Sequence, residues 1–225
     1  MKLRVGHVAA VACVALFTHV TASANENQLW LAVATNGAIS EESKWRYWFD
    51  GHARSQDDRS ELGVSIIRPG IGYQVSDNVT VWGGYGRIVA RRAGPDTDEN
   101  RIWQQATYPI SSAWWGGKLT GRTRLEQRLI EGADDTGHRV RQSFRWSRPI
   151  RDTDWSWVVS NEIFIAFNDT DFGQRSGYAQ NRAYLGAAWQ LDAGTRAEIS
   201  YLNNHIDGGS GSDRTNHNLA LALFF

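Results

Sequence analysis

Two neighbouring stretches constrain this chain more than any other feature. In Arg122-Thr123-Arg124-Leu125-Glu126-Gln127-Arg128-Leu129, and again in Arg139-Val140-Arg141-Gln142-Ser143-Phe144-Arg145-Trp146, charges recur at every second position while Leu125, Leu129, Phe144 and Trp146 stand between them. Successive side chains leave a strand on opposite faces, so a period of two means strands, and the two strands share one charged face. The polar segment from Gly132 to Gly137 joins them into a hairpin. The pattern recurs along the chain, as in Trp45, Tyr47 and Phe49 against Arg46, Trp48, Asp50, His52 and Arg54, or Ala197, Ile199 and Tyr201 against Arg196, Glu198 and Ser200.

The N-terminal segment says where such a sheet goes. Lys2 and Arg4 precede an apolar run from Val8 to Val20 and then Thr21-Ala22-Ser23-Ala24, the small-x-small form of a cleavage site. Residues 1–24 read as a secretory signal peptide, which leaves 25–225 as one domain. The only cysteine, Cys13, lies inside the leader, so no disulfide is expected in the mature chain. No later run approaches the roughly 20 apolar residues of a spanning helix. Formal charge is balanced at +0, which gives no footprint for nucleic acid. At the other end, Leu219, Leu221, Leu223 and Phe225 alternate with Asn218, Ala220 and Ala222. A closing strand that finishes on an aromatic residue is like the segment that bacterial outer-membrane barrels present to the barrel-assembly machinery. The fold expected is all-β: a closed antiparallel transmembrane β-barrel of 10 to 12 strands in the outer membrane of a Gram-negative bacterium, with lipid as its surroundings. A soluble sandwich is the competing class.

Several local readings follow. Trp30 to Ala34 alternates weakly and is either a first strand or a segment at the rim. In Ser60–Val75, Leu62, Val64 and Ile66 take the apolar side, and Pro69 predicts a bulge because proline cannot donate to a ladder. Both faces of Asn100–Tyr108 are mixed, and Ser111–Lys118 reads as a connector. Asn161 is the one misfit on the apolar face of Trp155, Trp157, Val159, Ile163, Ile165 and Phe167. Eleven candidate strands result, whereas single-chain bacterial barrels have even numbers, so ten or twelve are expected. Long polar segments at 91–98, 131–137, 168–177 and 205–213 fall at one end; tight turns at 76–78, 149–154 and 191–194 fall at the other, with Tyr73, Tyr108, Trp146, Trp155 and Trp189 beside them.

A lipid-facing arginine near the bilayer midplane costs roughly 2–4 kcal/mol, so the charges must turn inward while leucines and tryptophans meet lipid. The expected lumen lining is Arg46, Arg54, Arg124, Glu126, Arg128, Arg139, Arg141, Arg145, Glu162, Arg182, Arg196 and Glu198, together with Asp50, His52 and Glu61. Glu126, Glu162 and Glu198 are the partners expected for neighbouring arginines, since guanidinium and carboxylate form planar two-point hydrogen bonds. Two outcomes remain open: ion pairs that fill the barrel, or an arginine excess that leaves a narrow anion-preferring path.

Arg68-Pro69-Gly70-Ile71-Gly72-Tyr73, Asn100-Arg101-Ile102-Trp103-Gln104-Gln105, the Arg122–Arg128 stretch, Asn161-Glu162 and Gln180-Asn181-Arg182-Ala183-Tyr184-Leu185-Gly186 together resemble the bacterial family known as domain of unknown function 2490. The resemblance spans essentially the mature chain, and Arg-x-Arg-x-Glu-Gln-Arg is its most specific piece. It implies an outer-membrane barrel and no activity.

An outer-membrane lipid-modifying enzyme, deacylase-like or acyltransferase-like, is the alternative. It needs a serine, a histidine and an orienting group. His52, His138, His205 and His217 are available, but none has a serine two residues on: Arg54 follows His52 and Leu219 follows His217. No catalytic residue, cofactor or metal ligand set is assigned.

Overall fold

A computed structural model describes residues 27–55, 61–91, 96–209 and 212–225. The proposed signal peptide and Cys13 lie outside the described residues. Eleven strands form the closed barrel: β1 (Asn27–Ala38), β2 (Trp45–Ser55), β3 (Leu62–Ser76), β4 (Val79–Ala90), β5 (Thr97–Trp114), β6 (Gly117–Ile130), β7 (Thr136–Pro149), β8 (Trp155–Ala166), β9 (Gly177–Gln190), β10 (Arg196–Ile206) and β11 (Arg214–Phe224). Each strand pairs with its sequence neighbours, and β1 closes on β11.

The count corrects the even-number expectation. The Trp30 segment is β1, a full member of the wall, and no further strand was missed among the described residues. A meander with an odd number of strands leaves its first and last strands pointing the same way, and β1 pairs with β11 in parallel, from Asn27 opposite His217 to Ala34 opposite Phe224. The barrel is therefore mixed rather than wholly antiparallel. A parallel pair ordinarily needs a long crossover connection; here the two strands lie at opposite ends of the meander, so none is required.

Connections of unequal length distinguish the two ends. At the turn end, β3 and β4 are joined by residues 77–78 and β5 and β6 by Trp115-Gly116, whose φ angles are 47° and 71°. Two residues with positive φ match the twist of the flanking strands and make a tight hairpin. The segment read as a connector, Ser111–Lys118, is thus mostly strand. Its period was hidden by two small irregularities, one between Pro109 and Ser111 and one between Ser111 and Trp114. The longest described link at the loop end runs over 167–176. Pro69 makes no bulge: it faces Phe49 of β2 in regular register, and the β3–β4 register is the same on either side of it. The shift in β3 lies between Gln74 and Ser76 instead.

The outer wall is apolar, with Leu31, Val33, Ile71, Ile102, Leu125, Phe144, Ile163, Leu185, Ile199 and Leu219 all exposed. In β3 the outward residues are Ile67, Ile71, Tyr73 and Val75, while Ile66 is buried within, which corrects the facing expected for Val64 and Ile66. The doublet Ile66-Ile67 carries no parity of its own; Arg68 decides it by pairing with Asp50 across the lumen face. Aromatic pairs cluster outside at the turn end: Trp45 with Tyr73, Trp114 with Trp115, and Trp155 with Trp189, at centroid separations of 5.2, 4.6 and 5.6 Å. Trp146 donates its indole N–H to the Trp114 carbonyl at 2.9 Å.

Polar residues on this wall satisfy one another. Asn161 and Asn181 exchange two amide hydrogen bonds, both 3.0 Å, and Gln104 and Gln127 exchange two more at 3.0 and 3.2 Å. Asn161, the apparent misfit, is half of a closed pair. No helix of the described residues is long and apolar enough to cross a membrane.

Candidate functional site: the arginine-lined lumen

Alternation turns one face of every strand toward the barrel axis, and that face is crowded with guanidinium groups. Arg46, Arg54, Arg68, Arg101, Arg122, Arg124, Arg128, Arg139, Arg141, Arg145, Arg182 and Arg196 stand on inward strand positions; the inward carboxylates are Asp50, Glu99, Glu126, Glu162 and Glu198. Every residue of the expected lining but one therefore occupies an inward position. Glu61 does not: it precedes β3 and is exposed, a residue of a link rather than of the wall. Arg68, Glu99, Arg101 and Arg122 are additions. Glu99 and Arg101 share one parity, which was the available clue to the facing of β5.

The half toward the loop end is filled. Trp103, Arg124, Glu126, Phe164 and Leu202 are at most 1% exposed. Glu126 accepts from Arg139 Nε and Arg141 Nη1, both at 2.7 Å, with Arg101 Nη1 at 3.5 Å. Glu99 takes two bonds from Arg128, at 2.9 and 3.0 Å, and Arg101 Nη2 at 2.6 Å. Arg141 continues the chain, donating to both oxygens of Glu162 at 3.1 and 2.9 Å. Charge-assisted, forked bonds of this kind fix geometry as well as charge. From the 167–176 link, Gln174 accepts from Arg128 Nη1 at 3.2 Å, and Phe172 lies 5.4 Å from that guanidinium.

Tryptophans enter this interior: Trp48, expected on the charged face, is joined by others, against the general expectation that tryptophans meet lipid. Trp30, Trp48, Trp82 and Trp103 face inward, as does Leu202. Glycines opposite make the room: a Cβ on Gly84 would lie 2.3 Å from the Trp103 ring, and one on Gly72 would lie 2.4 Å from the Trp82 ring. Arg124 rests against the ring of Trp103, with its guanidinium carbon 4.6 Å from the centroid, and donates Nε to Gln105 at 2.8 Å. Both its Nη atoms lack a hydrogen-bond partner.

The half toward the turn end is open. A cavity of about 770 Å³ there is lined by Arg54, Arg68, Arg122, Arg141, Arg145, Arg182 and Arg196, against Asp50, Glu162 and Glu198, and it reaches Asp77 and Asn78 in the turn at the rim. Trp30 and a strip of Ala32, Ala34, Ala220 and Ala222 form its wall at the β1–β11 seam. Asp50 holds Arg68 at 2.7 Å, His52 at 2.9 Å and the Trp48 indole at 2.7 Å. Near the mouth, Glu198 accepts from Arg145 and, at 3.0 Å, from Arg196.

Histidines do not assemble a nucleophile. Among the described residues none of the four bonds a serine hydroxyl: His52 meets Asp50 and Arg68, His205 meets Thr215, and His217 meets Tyr201 on the outer wall. Among the described residues no cluster of three or more metal-ligating side chains occurs.

Fold and site together define a class: a closed eleven-stranded barrel, apolar outside, with a cationic lumen plugged at one end and open at the other. The chain belongs to the family described as "Protein of unknown function (DUF2490)", which it matches over residues 27–216. It is 30% identical over 203 residues to an uncharacterized protein of Methylorubrum extorquens, covering 88% of this chain and 87% of that one. No solved structure matches.

Proposed function

We propose that the protein is a non-enzymatic outer-membrane β-barrel whose lumen favours anions. The arginine excess over carboxylates on the inward face carries this reading. Exposed aliphatic residues around a cylinder without free strand edges support the membrane setting, because such a surface is stable in lipid and prone to aggregation in water. The aromatic pairs at the turn end suit a lipid–water boundary. In this reading the loop end faces outward and the turn end faces the periplasm, residues 1–24 direct export, and β11 is offered to the barrel-assembly machinery. The filled half makes the resting barrel closed, so solute enters the lumen from the periplasmic side and passage requires the plug to yield.

Fractionation with heat-modifiable gel migration tests the location; extraction without detergent overturns it. Planar-bilayer recording in a salt gradient tests the lumen. The expected record is silent at low voltage, with brief openings at high voltage whose reversal potential reports anion preference. Cation preference overturns the lumen reading, and silence at every voltage eliminates conduction.

A further inference from the structure

Among the described residues, the cavity holds a buried cation, Arg54, without a counter-ion. Arg54 has no carboxylate oxygen of a described residue within 4.0 Å, and its Nε is buried with no hydrogen-bond partner. Its guanidinium carbon lies 3.7 Å from the Trp30 centroid, and that of Arg182 lies 4.9 Å from the same ring. Arg182 donates Nε to Asn204 at 3.3 Å and lies over Phe164 at 4.7 Å, but its carboxylate is Glu162 at 3.9 Å, and Glu162 is already bonded to Arg141 and to Arg122. Cation–π attraction offsets only part of the cost of withdrawing a guanidinium from water. Two positive groups on one indole, one with no carboxylate among the described residues and the other sharing Glu162 with Arg122 and Arg141, make a seat for an anion.

The surroundings specify the rest of the ligand. From Trp30 toward the mouth, the β1–β11 seam presents Ala32, Ala34, Ala220 and Ala222 to the cavity, a wall that is apolar and too short to fill the space in front of it. We propose that the periplasm-facing chamber binds a small amphiphilic anion, with its charged head on Arg54 and Arg182 beside Trp30 and its short apolar body along the alanine strip. A planar carboxylate matches the guanidinium fork, and each methylene withdrawn from water along the strip adds affinity. Entry from the periplasm rests on the membrane reading above; the seat itself rests on the geometry around Trp30.

Calorimetry on the full chain in lipid nanodiscs, corrected with empty discs, tests this with acetate, hexanoate and inorganic phosphate. We expect hexanoate to bind about tenfold or more tightly than acetate, since it places four further methylenes on the strip. Arg54→Gln should weaken both carboxylates at least about tenfold while leaving the ligand-free barrel as stable or more so, because an unpaired buried charge is removed. Ala220→Leu should weaken hexanoate and spare acetate; it keeps every charge and decides the matter if Arg54→Gln fails to fold. Equal affinity for acetate and hexanoate, preference for phosphate over hexanoate, or an Arg54→Gln protein that binds as before overturns the proposal. Heat modifiability of the same preparation separates the two readings. A membrane-extracted barrel that ignores hexanoate sinks the seat alone; a water-extracted one that binds it sinks the location alone.

Discussion

The two halves of the lumen are built from the same residue types and do opposite things with them. Toward the loop end, Glu99 and Glu126 each gather several arginines at hydrogen-bonding distance, and Trp103, Phe164 and Leu202 fill what remains. Toward the turn end, arginines outnumber carboxylates around an open space. Arginines outnumber carboxylates in both halves; the difference lies in what occupies the remaining space, bulky rings and Leu202 in one and small residues on the wall of the other, not in strand geometry. A buried carboxylate that serves three guanidinium groups is a structural fastener, whereas a guanidinium without a carboxylate is an invitation to something from solution.

Substituting matched carboxylates gives the sharpest contrast. Glu126→Gln leaves Arg139, Arg141 and Arg101 without their shared counter-ion in a site closed to water, and should cost about 3–5 kcal/mol of stability in urea unfolding from lipid. Glu198→Gln strips Arg145 and Arg196, whose side chains are 33% and 38% exposed, so solvent screens the loss and about 0–1 kcal/mol is expected. Equal losses at the two sites would break the distinction between plug and chamber. Gly84→Ala drives a methyl into Trp103 and the Pro69 carbonyl, 2.3 and 2.4 Å away, and should destabilise by about 1–3 kcal/mol. A gain in bilayer conductance in that variant would show that Trp103 holds the plug shut.

On the outer wall, Asn161→Ala and Asn181→Ala should show a coupling energy of about 0.6–2 kcal/mol in a double-mutant cycle, the range found for hydrogen bonds within bilayers. The smallest effect belongs to the loop end. Asp169 accepts the Ser176 amide at 2.7 Å, a bond that holds its carboxyl below the usual range. Because the folded value is the lower one, this stabilisation is complete above the ordinary carboxylate range and is lost as pH falls through the depressed value. The Ser176 amide resonance should therefore move in acid, while resonances of the plug stay still.

Facing was legible in β6 and β8, where charges broke the symmetry of the strand, but was missed in β3 and β5 despite Arg68, Glu99 and Arg101. Arg124 and Glu126 fixed β6, and Glu162 fixed β8 despite Val158 and Phe164, which share its inward side. What escaped was set by space rather than polarity. Trp103 shares the parity of Glu99 and Arg101, but the room for its ring is made on other strands, where Gly70 and Gly84 vacate the volume it occupies. Trp82 over Gly72 repeats the arrangement. The Trp115-Gly116 turn escaped because a tryptophan at positive φ is unusual, so Trp114-Trp115-Gly116-Gly117 looked like a link rather than a hairpin tip. The open chamber was invisible because an unpaired arginine and a paired one have the same letter. Only the register shows that Arg54 has Trp30 beside it, with no acid of a described residue within 4.0 Å.

The parallel seam carries a consequence for assembly. Gln28 donates its amide to the Asn218 side chain across 190 positions of sequence, so the last gap in the cylinder joins the parts of the chain most distant from each other. No hairpin can template that joint, and loop-closure entropy must be met before it rewards the chain. Until it forms, both β1 and β11 present an unpaired backbone edge. The alanine-walled chamber therefore comes into existence at the final stitch, and a barrel arrested one step earlier would have its binding space still unzipped along its length.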